Sequence, residues 1–277
     1  MRFGNFPKSF REDIYAAILE FIGTTLWLIV GLGGIQAGAF STQNQQQGSV
    51  TGVPSIGQLL YISASMGLSL LVFVWLFYRV TGGVFNPAIS TGLLLVGAIN
   101  PIRWAMYCMA EITGAIAASA ILLALLPGPL VVNTTPAKGI NLAQAVFIEA
   151  FLTSSLVFAV LMLAAEKHPS TPFAPIGIGL TLFAGHLWSV VYTGAAMNPA
   201  RAFGPAVVSG FDHKHWVYWV GPLVGSLVAT LLYSVLKHIN YWNLNPDQDV
   251  PDPTKSPRNP FPRLLSSSTQ KTSTLSV

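Results

Sequence analysis

Charge is what this chain has least of. Only 9% of its 277 residues are Asp, Glu, Lys or Arg, against 52% that are hydrophobic. A soluble domain carries about 25% charged residues, so a water-soluble fold of this length could not cover itself. Cysteine is almost absent as well. The single Cys108 excludes an internal disulfide, leaves the redox compartment unread and reads as a small buried residue. There is no phosphate-binding loop, no paired histidine on a helix with a glutamate, and no nucleophile with a matched base and acid, so no enzyme signature is present. No cofactor is implied. The net charge of +4 carries no cluster of the kind that binds nucleic acid.

What is present is length of apolar run. Six blocks approach the ~20 residues that cross a ~30 Å hydrocarbon core, namely Tyr15 to Ala37, Gln58 to Tyr78, Trp104 to Leu126, Leu142 to Ala165, Ala174 to Tyr192 and Trp216 to Leu236. The start carries Arg2, Lys8, Arg11, Glu12 and Asp13 before a block of full spanning length, which is not the pattern of a cleavable signal peptide. Six spans put both termini on one side. The basic residues of the loops and tail concentrate on that side, leaving Lys138, Arg201 and Lys214 on the other, so both termini are expected in the cytoplasm. Trp75, Trp104, Trp216 and Trp219 lie near span ends and read as interfacial anchors.

The two halves resemble each other. AAILEFIGTTL from Ala16 matches AVFIEAFLTSS from Ala145, pairing Glu20 with Glu149. TGGVFNPAIS from Thr81 matches TGAAMNPARA from Thr193, and WAMYCMAEITGA from Trp104 matches WVYWVGPLVGSL from Trp216. The unit is three spans with an Asn-Pro-Ala segment between the second and third. Three is odd, so the second copy enters from the opposite side, giving an inverted repeat of the kind that places a site near the midplane of channels and transporters. The boundaries expected are a cytoplasmic N-terminus at 1–13, a first repeat at 14–126, an external connection at 127–141, a second repeat at 142–238, and a disordered cytoplasmic tail at 239–277 rich in Pro, Ser and Thr. Phe40 to Gly57 reads as an exposed external loop. Asn133-Thr134-Thr135 is a glycosylation sequon on the outer face.

Asparagine is a strong helix N-cap and proline is favoured at the first helical position. Asn86-Pro87-Ala88 and Asn198-Pro199-Ala200 therefore each start a helix, over 86–96 and 198–209. Each is about half the length needed to span. Non-helical backbone at membrane depth is tolerated only inside protein or along a watery cavity, so both are expected to be re-entrant. Their N-termini meet near the middle, each bearing roughly +0.5 of an elementary charge. Each Asn oxygen caps its own helix and leaves its NH₂ group free to donate into a lumen. A water held there turns its hydrogens away along the file, which interrupts a proton wire. Arg201 and His186 at membrane depth are expensive and mark a pathway.

These features resemble the aquaporins of the major intrinsic protein family, across about Ile14 to His238. The resemblance rests on the paired Asn-Pro-Ala boxes, the glutamates of the first and fourth spans, and NPARAFGPAVV. The polar loop, the tail and Ala195 are most like fungal members. The resemblance implies an all-α membrane protein of six transmembrane helices plus two re-entrant half-helices, homotetrameric in the plasma membrane, conducting water and small neutral solutes. It implies that Met66, His186, Ala195 and Arg201 form the narrowest point, and that Glu20 and Glu149 brace the re-entrant loops. His186 and Ala202 favour water; glycerol-conducting relatives have a small residue and an Asp there. Met66 departs from the Phe usual in water-selective members, leaving room for glycerol, hydrogen peroxide or ammonia. Glu111 has no assigned role, either bracing like the other two or lying near the cytoplasmic end. His213 and His215 have the spacing of a metal pair or of a solvated loop. A secondary transporter and a non-conducting junction protein are the competing classes.

Overall fold

The computed structural model describes residues 10–45, 55–246 and 248. The expectations for the extreme N-terminus, for the middle of the first external loop and for most of the tail lie outside the described residues. Among these residues every regular element is a helix. They are α1 (Phe10–Gln45), α2 (Ile56–Phe77), α3 (Pro87–Leu95), α4 (Pro101–Leu125), α5 (Leu142–Val160), α6 (Ala174–Thr193), α7 (Pro199–Ser209) and α8 (Val217–His238). A π-helical turn at Leu161–Ala165 extends α5, and a 3-10 turn at Thr171–Phe173 precedes α6. Six of the helices are long and apolar enough to cross a membrane. A separate unit begins at Asn240, with a short 3-10 turn at Tyr241–Asn243.

Helix starts are chemically marked. Ser55, Asn86, Asn100, Asn141 and Asn198 cap α2, α3, α4, α5 and α7 with their side-chain oxygens. Asn141 and Gln144 form a reciprocal capping box, which satisfies two otherwise orphaned donors. The far end of α1 differs from expectation. The helix continues through Gln45, past the point where a loop was expected at Phe40. Glutamine is a good helix former and nothing in Ser41 to Gln45 forbids the helix, while Thr42 bonds back to the Gly38 carbonyl at 2.9 Å.

The halves are built alike. Helix α1 packs chiefly on α4 and α5 chiefly on α8, while α2 crosses α6. The short helices are exchanged across the halves, with α7 against α4 and α3 against α8. Small residues permit these close approaches. A Cβ on Gly67 would overlap Phe183, and one on Gly179 would overlap Leu71, so the α2–α6 crossing is closed from both sides by glycine. Gly31 and Gly34 likewise face Met66 and Ser65 of the same chain. Outward-facing side chains such as Leu76, Phe151 and Leu231 are mostly exposed, as expected of a surface whose solvent is lipid. Cys108 is half-buried rather than buried. Trp104 is not a free anchor, because its indole N–H donates to Thr91 of α3 at 3.1 Å.

Gly67→Ala should separate α2 from α6 and lower the thermal midpoint of the detergent-solubilised protein, a loss of roughly 1–3 kcal/mol typical of overpacking. Gly33→Ala, whose new methyl meets only Leu122 at 3.5 Å, should leave the midpoint unchanged or raise it.

Candidate functional site

The two Asn-Pro-Ala segments meet at the centre of the bundle. Asn86 accepts from the Ala88 N–H at 2.9 Å, and Asn198 accepts from the N–H groups of Ala200 at 2.9 Å and Arg201 at 3.2 Å. Each asparagine then reaches across. Asn86 Nδ2 donates to the Met197 carbonyl at 2.8 Å, and Asn198 Nδ2 donates to the Phe85 carbonyl at 2.8 Å. This modifies the expectation that both amide hydrogens are free. One hydrogen of each amide stitches the opposite segment in place, and only the second remains for a guest. Both asparagines are buried.

The segments leading into the boxes follow one design. Backbone φ is positive at Gly82, Gly83 and Phe85, and again at Gly194, Ala195 and Met197. For Phe85 (φ 52°), Ala195 (φ 51°) and Met197 (φ 53°) this left-handed conformation costs of order 1 kcal/mol or more each, and persists only where the surroundings over-determine it. The surroundings here are carboxylates. Glu20 accepts from the N–H groups of Val84 at 3.1 Å and Phe85 at 2.9 Å. Glu149 accepts from Ala196 at 3.0 Å and Met197 at 2.8 Å, and from the Thr193 hydroxyl at 2.7 Å. Tyr107 and Tyr218 complete the matched pairs by donating to the carbonyls of Thr81 at 3.0 Å and Thr193 at 2.6 Å. Reading the sequence missed these two tyrosines, although they align once Gly114 is set against Gly225.

Glu111 has no counterpart in the second half. It accepts the Ser90 hydroxyl at 2.8 Å, so it ties α4 to α3. Ser226 of α8 holds the other flank of α3 by donating to the Ala88 carbonyl at 2.8 Å.

Toward the end where α6 and α7 meet their connections, the polar groups change. His186 is fully buried, with Nδ1 2.9 Å from the Leu182 carbonyl. A carbonyl only accepts, so a neutral His186 carries its proton on Nδ1, and Nε2 is left as a lone-pair acceptor with no protein partner. Arg201 is also buried. Its Nη1 donates to the Val132 carbonyl at 3.0 Å, and its Nε has no protein partner. An acceptor on α6 and a donor on α7 are thus both buried without a protein partner. Met66 is buried with its sulfur against Gly31, and Ala195 is buried with its N–H on the Thr193 hydroxyl.

At the opposite end lies a cavity of about 470 Å³, lined among others by Leu70, Val74, Thr81, Ile89 and Leu93. Its walls explain the contrast. Counting back 112 residues, the spacing of the two asparagines, Val74 stands where His186 stands and Ile89 where Arg201 stands. One end is a wide apolar vestibule, and the other carries the histidine and the arginine.

The rim on the arginine side is held by the connection at 127–141. Asn133 donates to the Gly210 carbonyl at 3.1 Å, and Thr135 donates to Asp212 at 2.8 Å. Bonds from the Lys214 N–H and the Thr135 hydroxyl hold the Asp212 carboxyl below the ordinary carboxylate range. His213 pairs with Asp212, while His215 packs edge-on against Phe211 with ring centroids 4.9 Å apart. Partial burial pushes the His215 imidazole below its ordinary value. Among the described residues no group of three His, Cys, Asp or Glu could hold a metal.

Comparison with known proteins agrees with this architecture. The model of the family "Major intrinsic protein" matches residues 8–233. Aquaporin-1 of Laccaria bicolor is 58% identical over 256 residues, covering 92% of this chain and 81% of that protein. Aquaporin-7 of Botryotinia fuckeliana is 47% identical over 242 residues, covering 87% of this chain and 53% of that protein. Among solved structures, the aquaglyceroporin from Plasmodium falciparum shares the fold with a TM-score of 0.66 at 20% identity, over 85% of this chain and 98% of that one. The chain belongs to the major intrinsic protein family and is an aquaporin-type, multi-pass membrane channel rather than an enzyme.

Proposed function

We propose that the chain is a passive water channel that excludes ions and protons and discriminates against glycerol. The observation that carries this reading is the buried and unpartnered state of both His186 Nε2 and Arg201 Nε. Water supplies what each lacks, accepting from the arginine and donating to the histidine. The guanidinium charge and the two converging helix N-termini repel cations. Past the filter, the remaining N–H of each box asparagine donates to a passing water oxygen, so that water points its hydrogens along the file in both directions. No continuous proton wire then crosses the centre.

Met66 and Ala195 form the other walls of this filter. Methionine is flexible and slim, and its presence supports a second reading, a facilitator of small neutral solutes. Glu20 and Glu149 brace the re-entrant segments, turning successive carbonyls toward the lumen as a ladder of acceptors. The protein works as a homotetramer in the plasma membrane with both termini cytoplasmic, each chain with its own pore.

In proteoliposomes, stopped-flow osmotic shrinkage should be fast for water and slow for glycerol. His186→Ala should raise glycerol permeability about tenfold, the effect of removing about 1.4 kcal/mol from a barrier. Glycerol flux as fast as water flux in the parent protein would instead establish the solute-facilitator reading.

The bracing role makes a separate prediction. Glu149→Gln presents an NH₂ group to N–H donors, leaving at least one of the Ala196 and Met197 amides unsatisfied. A buried unsatisfied donor costs roughly 1–3 kcal/mol. Thermal stability and water permeability should fall together, and an unchanged stopped-flow rate would refute the bracing role.

A further inference from the structure

The Arg201 guanidinium depends on a single backbone atom. Among the described residues its one hydrogen-bond acceptor is the Val132 carbonyl, 3.0 Å from Nη1. Val132 belongs to an irregular connection with no ladder of its own, so something else must fix that carbonyl.

The clamp comes from α1. Gln36 is a buried amide near the external end of that helix, 6% exposed. Its Nε2 donates to the Pro129 carbonyl at 3.1 Å, and its Oε1 accepts from the Val131 N–H at 2.9 Å. The partners dictate the orientation of the amide, since a carbonyl only accepts and an N–H only donates. The two bonds straddle Leu130 and end one residue before Val132. They hold the segment as a neighbouring strand would. On the far side Val132 is followed by Asn133, whose bond to Gly210 is exposed and competes with water. The Gln36 bonds, part-buried and made by a buried side chain, are better shielded from water and therefore matter more.

We propose that Gln36 is a positioning residue of the selectivity filter, holding the Val132 carbonyl so that Arg201 keeps its orientation across the lumen. This rests on the reading of Arg201 as a filter residue. The hydrogen bonds of Gln36 go to Pro129 and Val131 and not to Arg201 or His186, so it acts through the backbone of 129–132. Its counterpart in the second half, at the same 129-residue spacing that relates Glu20 to Glu149, is Ala165. The clamp is thus present only in the half whose connection carries the Arg201 acceptor.

The test compares water and glycerol permeability of purified protein in proteoliposomes for the parent, Gln36→Met, Arg201→Val and the double variant. Methionine keeps the volume and loses both bonds. Gln36→Met should raise the glycerol-to-water ratio about threefold, the size of coupling expected between sites sharing one network. Arg201→Val should raise it further, and the double variant should match Arg201→Val alone, since the clamp then has nothing to position. A purely structural role would instead lower both fluxes in proportion, or add to the Arg201→Val effect, and either result overturns the proposal. An unchanged ratio in Arg201→Val would overturn the filter reading and this inference with it. An unchanged ratio in Gln36→Met alone would overturn only the inference. A measurement on the parent protein needs no variant to fold: hydrogen exchange at the Val131 amide should be as slow as in the flanking helices, and exchange at the rate of an open loop would also overturn it.

Discussion

Everything at the centre of this molecule hangs on two hydrogen bonds that cross between its halves, from the Asn86 amide to the Met197 carbonyl and from the Asn198 amide to the Phe85 carbonyl. Each joins the tip of one half-helix to the segment that leads into the other. Neither half-helix is long enough to be anchored at both membrane faces, and each enters through backbone in a left-handed conformation. The strain is tolerable because the glutamates accept from the N–H groups of Val84, Phe85, Ala196 and Met197 while the asparagine amides hold the Phe85 and Met197 carbonyls. A membrane interior has no water to repair a missing bond, so this is a constraint on the whole fold and not a local ornament.

The scaffold is nearly symmetric and its chemistry is not. Glutamate, threonine, tyrosine and asparagine recur in matched places in both halves. The residues that would distinguish solutes occur once. His186 and Arg201 correspond to Val74 and Ile89 across the repeat relation, so one end carries a histidine and an arginine and the other a cavity lined mostly by apolar side chains. Glu111 with Ser90, and Gln36 with the connection at 129–131, are likewise found on one side only. In the proposed channel, stability depends on the symmetric part and selectivity on departures from it.

Much of this was legible in the sequence because the signals are local. Helix caps and half-length apolar runs mark the two short helices, and the repeated glutamates mark what lies near them. The residues that escaped notice act over long separations. Gln36 looks like one polar residue late in an apolar span, and only folding brings Pro129 and Val131 beside it. Tyr107 and Tyr218 read as ordinary span residues until their hydroxyls are seen on the Thr81 and Thr193 carbonyls. The positive φ at Phe85, Ala195 and Met197 was hidden because bulky or methyl-bearing side chains argue against it, and the glutamates impose it from outside the segment. The extension of α1 to Gln45 escaped because polar residues after an apolar run look like a loop, yet glutamine sustains a helix.

In the proposed channel water passes where protons do not. The measurement is proton flux and osmotic water flux on the same proteoliposomes, with an internal pH dye and a fixed pH gradient. Water permeability should rise with the amount of protein while proton permeability stays at that of empty vesicles. Proton flux that rises in step with water flux would mean that the paired asparagines and helix ends do not break the hydrogen-bonded file, and the mechanism would be wrong at its centre.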